Sequence, residues 1–239
     1  MITAYVRLEV RRTLRDTGFA ISTVGIPVMM YLLFTNLVAD DGAYRTAAMV
    51  GMAAYGALGA ALSLGTGVAE DKSTGWLRQL RITPMTPRQV VTGRALTGSV
   101  VVLPAIAGVL LAGGLANGVR MAAWQWAAVA VTLWLGSLPF TLLGMGNGYR
   151  LTAQTTGAVN VACNLGLAVA GGLWFPVALF PDWLRTLSGY TPTNRFAELG
   201  VAVTDGRAPG AVALVVLAGW AALFGAYAAV SYRRSARTA

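Results

Sequence analysis

Glu70-Asp71-Lys72-Ser73-Thr74-Gly75-Trp76-Leu77-Arg78-Gln79-Leu80-Arg81-Ile82-Thr83-Pro84-Met85-Thr86-Pro87-Arg88-Gln89-Val90-Val91-Thr92-Gly93-Arg94 is the most charged stretch of this 239-residue chain. Lys72, Arg78, Arg81, Arg88 and Arg94 all lie in it. Uncharged apolar runs flank it, 47–69 before and 95–116 after. A hydrocarbon core of about 30 Å needs about 20 helical residues, so each run is long enough to cross it. The stretch therefore reads as a hydrophilic loop between two membrane helices, and this sets the fold class: an all-α membrane protein.

The loop carries its own helix signals. Glu70 and Asp71 are placed to open a short helix, where negative charge suits the N-terminus. Trp76, Leu77 and Leu80 fall on one side at helical spacing, with Arg78 and Arg81 elsewhere. Thr83 precedes Pro84 and is pushed out of the α region, which ends that helix. Thr86, Pro87 and Gln89 then form a new start, with Thr86 as cap and Pro87 at the first helical position. Two readings fit this pattern: a linker that only obeys charge topology, or a surface that receives a partner.

The remaining chain supplies four further apolar runs. Composition agrees, since 56% of residues are hydrophobic and only 11% charged, against about a quarter charged in soluble domains. The expected spans are 18–38, 47–69, 95–116, 122–148, 153–175 and 210–232, in one domain covering 1–239. Pro27 is an expected kink in the first. Ala53, Ala57, Ala61 and Gly65 form a small-residue stripe on the second, which lets a neighbouring helix approach closely. Pro139 and Gly144-x-Gly146-x-Gly148 mark the fourth; no strand precedes these glycines, so they are not a nucleotide fingerprint. On the fifth, Thr156, Asn160 and Asn164 recur at four-residue spacing.

Residues 1–17 have Ile2, Val6 and Val10 on one face and Arg7, Arg11 and Arg15 on another. This fits an amphipathic helix lying in the membrane interface, or a basic anchor before the first span. Residues 176–209 are too polar to span, and Pro176, Pro181 and Pro192 divide them. With Phe180, Trp183 and Tyr190 they read as short re-entrant or interfacial helices at headgroup level, or as an ordinary outer loop with an aromatic belt.

Charge orients the chain. Thirteen of the 18 Lys and Arg fall in 1–17, 70–94, 149–152 and 233–239. The other five, Arg45, Arg120, Arg185, Arg195 and Arg207, fall on the opposite side. The bias puts both termini in the cytoplasm. It also accounts for the net charge of +9 through anionic lipid rather than nucleic acid.

Several chemistries are missing. There is no His, and the lone Cys163 sits in an apolar run. No predicted span has a charge near its centre, where proton relays and intramembrane enzymes keep theirs. There is no Gly-Lys-Ser/Thr phosphate loop, and Lys72, the only lysine, follows Asp71. The chain is expected to have no enzyme site, no bound cofactor and no metal of its own. Any energy for transport must come from another subunit. A non-transporting polytopic protein, such as an immunity or assembly factor, is the alternative class.

The loop resembles the first cytoplasmic loop of ABC type-2 exporter permeases, including actinobacterial drug-export permeases. The matching positions are Glu70-Asp71, Ser73-Thr74, Gly75, Trp76, Leu77, Leu80, Thr83-Pro84 and Gly93-Arg94. Trp76 and Arg78 depart from the pattern, where many members carry Thr and Glu. The resemblance implies a permease working as a pair, with itself or a sister chain, each served by a separate ATPase that binds ATP and Mg. It implies that Glu70, Gly75, Trp76, Leu77, Arg78, Leu80 and Arg81 contact that ATPase. It also places Thr156, Asn160 and Asn164 near a central cavity; the residues themselves equally fit amides bonding a neighbouring helix. The implied cargo is a drug, antibiotic or other amphipathic small molecule, exported across the cell membrane.

Overall fold

The computed structural model describes residues 7–8, 10–13, 15–38, 42–74 and 87–238. Among these residues every regular element is helical. Span one is built from α1 (Thr17–Ala20), a π-helical turn (Ile21–Gly25) and α2 (Ile26–Val38). Then come α3 (Gly42–Ser73), α4 (Pro87–Leu115), α5 (Ala123–Gly136), α6 (Leu138–Arg150) and α7 (Ala153–Ala170). A 3-10 turn (Val177–Leu179), α8 (Asp182–Ser188), α9 (Pro192–Thr204) and α10 (Ala211–Thr238) complete the chain.

The helix α3 is the centre of the bundle, with α2, α4, α6, α7 and α9 packed around it. Its small stripe explains this place. Ala53, Ala57 and Ala61 are fully buried. A Cβ added at Gly65 would overlap the carbonyl oxygen of Gly144, and one at Gly148 would overlap the carbonyl oxygen of Gly65. The backbones of α3 and α6 therefore touch, as close small-residue crossings allow. On the other face of α6, a Cβ at Gly146 would run into the Tyr227 ring of α10. The glycine string at 144–148 is thus a packing device.

Five helical stretches among the described residues, two of them composite, are long and apolar enough to cross a membrane: Thr17–Leu37, Gly42–Ser73, Leu96–Leu115, Ala123–Arg150 and Ala211–Ser235. The expected fifth span corresponds to α7, which has 18 residues. Gln154, Thr155, Thr156, Asn160 and Asn164 leave it more polar than the others. It also stops at Ala170 rather than 175. Gly172 takes φ +70°, and crossed bonds from Gly172 N–H to Val169 O and Leu173 N–H to Ala168 O close the helix, a left-handed glycine cap.

Two other boundaries differ from expectation. The helix α3 has 32 residues, about 48 Å, and continues four residues past Ala69. Residues 122–148 are not one helix: the run breaks at Ser137, two residues before Pro139. Pro139 has no N–H for the Leu135 carbonyl and crowds it. Ser137 relieves the break by bonding back, N–H to Leu133 O at 3.1 Å and Oγ to Trp134 O at 2.7 Å. In span one the π-helical turn comes just before Pro27, which leaves the Thr23 carbonyl without its helical donor. A Cβ on Gly56 would lie 2.9 Å from that oxygen, so only a glycine lets α3 pack there.

The 176–209 region folds into short helices, as its prolines predict. The longest, α9, is drawn into the bundle, with Thr193, Phe196, Leu199 and Gly200 buried. Thr193 Oγ1 donates to Leu167 O at 2.6 Å and Asn194 Nδ2 to Gly171 O at 3.2 Å, which satisfies carbonyls at the end of α7. Gln125 Nε2 does the same for α9, donating to Val203 O and Thr204 O. Trp183 and Tyr190 stay exposed.

Candidate functional site

The last turn of α3 and the turn joining α6 to α7 meet at the end of the bundle that carries Arg12, Lys72 and Arg150. The last carbonyls of any helix lack intrahelical donors. At the end of α6 one side chain supplies them. Lys72 Nζ donates to Leu151 O at 2.7 Å, Tyr149 O at 3.0 Å and Gly148 O at 3.4 Å. An ammonium there also suits the negative end of the α6 dipole. Next to it, Asp71 is 4% exposed and faces Arg12 Nη1 at 3.7 Å. Three consecutive residues of α3 thus serve three directions: Glu70 lies exposed, Asp71 meets the segment before span one, and Lys72 holds the α6–α7 turn.

This corrects the expectation that Glu70 and Asp71 open a helix. They sit in the final turn of α3, where the helix dipole disfavours acids. Lys72 and Arg12 offset that cost locally. Of the residues expected to contact an ATPase, Gly75, Trp76, Leu77, Arg78, Leu80 and Arg81 lie outside the described residues. The chain resumes as a helix at Pro87, the position its proline predicts.

Thr156, Asn160 and Asn164 do share one face of α7, and it is turned toward α3. Asn160 is 5% exposed. Its Nδ2 donates to Leu62 O at 2.8 Å and Thr66 Oγ1 at 3.3 Å, and its Oδ1 accepts from Asn147 Nδ2 at 2.9 Å. Asn147 Oδ1 in turn accepts from the Tyr227 hydroxyl at 3.0 Å. One chain of bonds therefore ties α7 to α3, α6 and α10. Thr156 is fully buried and donates to Thr152 O in its own helix. Asn164 is half-buried against Gly59, where an added Cβ would come within 3.2 Å of its amide nitrogen. Asn147, Tyr227 and the Lys72 contacts escaped the sequence reading. The available signal was a polar side chain inside an otherwise apolar span, which is expensive unless partnered.

The inner groups are amides, hydroxyls, one clamped ammonium and the Asp71–Arg12 ion pair, arranged to fix helices in register. Displacing the end of α3 moves Lys72, and with it the turn that leads into α7. Residues 2–203 match the model of the ABC-2 type transporter family. The chain belongs to the ABC-2 type transporter family. It is also 24% identical over 221 residues, 90% of either chain, to a Bacillus subtilis (strain 168) protein named "Putative transport permease YvfS". This ABC-2 chain is therefore a multi-pass membrane permease subunit of a transporter. In that family this subunit is the transport part, and an ATPase partner is general. The matched residues include the whole 70–94 loop.

Proposed function

We propose that the chain is the permease of an ATP-driven exporter in the cell membrane, working as a pair of copies. A separate ATPase binds ATP and Mg and pushes on the loop at 70–94, with both termini on the same cytoplasmic side. The observation that carries this reading is the Lys72 clamp. The loop leaves directly from a helix end that is bonded to the α6–α7 turn and to the segment before span one. A push on Trp76, Leu77 and Leu80, with polar contacts at Glu70, Arg78 and Arg81, reaches three parts of the bundle through Asp71 and Lys72.

The second copy is supported by the outward face of α7. Ala158, Ala162 and Gly166 are exposed at four-residue spacing, next to Val161, Leu165 and Val169. No neighbouring atom lies within 4 Å of a Cβ added at Gly166 or Gly157. Small exposed residues in this register suit another helix. Asn160 is fully engaged inside its own chain, so helix packing, not cargo contact, is the role we assign to it. The cargo is an amphipathic small molecule, a drug or antibiotic among them. The test is to tag the chain, extract it gently from its native membrane and look for a co-purifying ATPase with a phosphate loop. An ATPase recovered in stoichiometric amount is the expected result. Recovery of the folded chain without one would sink the reading in favour of a non-transporting membrane protein.

A further inference from the structure

Span one packs on α3 and α4 by a stripe at four-residue spacing, and Thr23, Pro27, Tyr31 and Thr35 are all buried. The stripe loosens one turn before Thr23. Phe19 is only half-buried, and Thr17, Gly18, Ala20, Ile21 and Ser22, which point around the rest of the helix, are exposed. A cavity of about 270 Å³ lies here, between the inner end of span one and the inner halves of α3 and α4. Phe19 and Ser22 line it on one side, Ser63 and Leu64 on the second and Val101 on the third. Span one is thus seated along its outer part and stands off at its inner part.

The change falls on a joint. Gly56 of α3 and Gly108 of α4 form its socket. A Cβ added at Gly56 would lie 2.9 Å from Thr23 O and 3.1 Å from Pro27 Cγ, and one at Gly108 would lie 2.6 Å from Val24 Cγ1. The Gly56 position is also 3.4 Å from the Cβ of Ala105, the neighbour of Pro104 in α4. Span one is soft at this level. Ile21–Gly25 is a π-helical turn, and Pro27 has no N–H to give. The Ser22 and Thr23 hydroxyls both donate to Phe19 O, at 3.1 and 2.7 Å, and hydroxyls bonded back in this way bend helices. π-Helical turns inside helices are frequent at functional sites. On the inner side of the joint, Arg12 Nη1 lies 3.7 Å from Asp71 Oδ1, which ties this end to the last turn of α3.

We propose that the inner end of span one is a strap, hinged over Gly56 and Gly108, that swings onto α3 and α4 and closes the cavity. Closure brings Phe19 against Leu64 and Val101, apolar groups that border the cavity in the open form. The Arg12–Asp71 pair passes movement of the α3 end to the strap. That role in transport rests on the export reading; the hinge itself does not.

The test measures distances between paired spin labels on the whole chain in nanodiscs, with Cys163→Ser as background. Thr17→Cys with Gln154→Cys reports the inner end, and Leu37→Cys with Val212→Cys reports the outer end; all four positions are exposed. Two distance populations are expected for the inner pair and one for the outer pair. Pro27→Ala restores a backbone donor at the joint. It is expected to reduce the minor inner population about fivefold, the effect of one backbone hydrogen bond. A single inner population, two populations at both ends, or inner populations that Pro27→Ala leaves unchanged would each overturn the hinge. When the ATPase is present, ATP with vanadate is expected to enrich the shorter inner distance, and an unchanged ratio overturns the role of the Arg12–Asp71 pair. A co-purifying ATPase alongside a single inner population removes the hinge alone; two populations that depend on Pro27, without any ATPase, remove the export reading alone.

Discussion

Replacing Lys72 by Met tests whether the end of α3 holds the α6–α7 turn. The Met side chain fills similar space but has no donor. Three carbonyls then lose their partner, at 2.7, 3.0 and 3.4 Å. Hydrogen bonds to a charged group each contribute about 1.5–3 kcal/mol, and the dipole contact adds about 0.3–1 kcal/mol. The longest bond is weak, and the freed carbonyls sit at the end of the bundle, where water can replace part of the loss. A net cost of about 2–3 kcal/mol is therefore expected. For a domain of this size that is a fall in Tm of about 4–12 °C, read by tryptophan fluorescence in nanodiscs. Lys72→Arg keeps the charge, but its planar fork cannot aim all its donors at one point, so an intermediate fall is expected. Lys72→Met should also reduce transport per ATP hydrolysed more than Lys72→Arg does. A Lys72→Met protein with unchanged Tm and unchanged coupling would refute the reasoning.

Gly65→Ala forces α3 and α6 apart and is expected to cost about 1–3 kcal/mol; Gly157→Ala, which meets open space, is expected to be neutral or to stabilise by up to about 1 kcal/mol, and thermal unfolding separates the two. Asn160→Leu leaves the buried Asn147 amide without its partner and removes the second bond to the Leu62 carbonyl, so a loss of about 1–3 kcal/mol is expected with cargo selectivity intact; altered selectivity at normal stability would return Asn160 to the cargo path. The Trp76→Ala/Leu80→Asp double variant should assemble in the membrane normally and lose ATP-driven export; normal export would show that the ATPase does not act through this loop.

The fold class and the family were legible in the sequence, because both follow from local properties. Uninterrupted apolar runs of about 20 residues need no partner to be read as membrane helices. Likewise Pro87 marks its helix start wherever the helix packs, and Thr156, Asn160 and Asn164 share a face by spacing alone. What the face meets is another matter. Periodicity states which residues point together, never toward which helix, so Asn147 and Tyr227 could not be joined to Asn160 in advance. The Glu70-Asp71 error has the same root. Acids suit a helix start taken alone, but here the helix was prolonged by a lysine whose partners lie 76–79 residues away.

Composition and charge thus determined a basic-ended bundle of apolar helices, with polar breaks and a resemblance concentrated in one loop. Only the tertiary structure decided that Gly65, Gly144 and Gly148 bring two backbones into contact, that α9 is drawn into the bundle, and that Lys72 clamps the turn leading to α7. Those are pairings between distant residues. Their energy exists only once both partners are in place, and no local pattern encodes the partner.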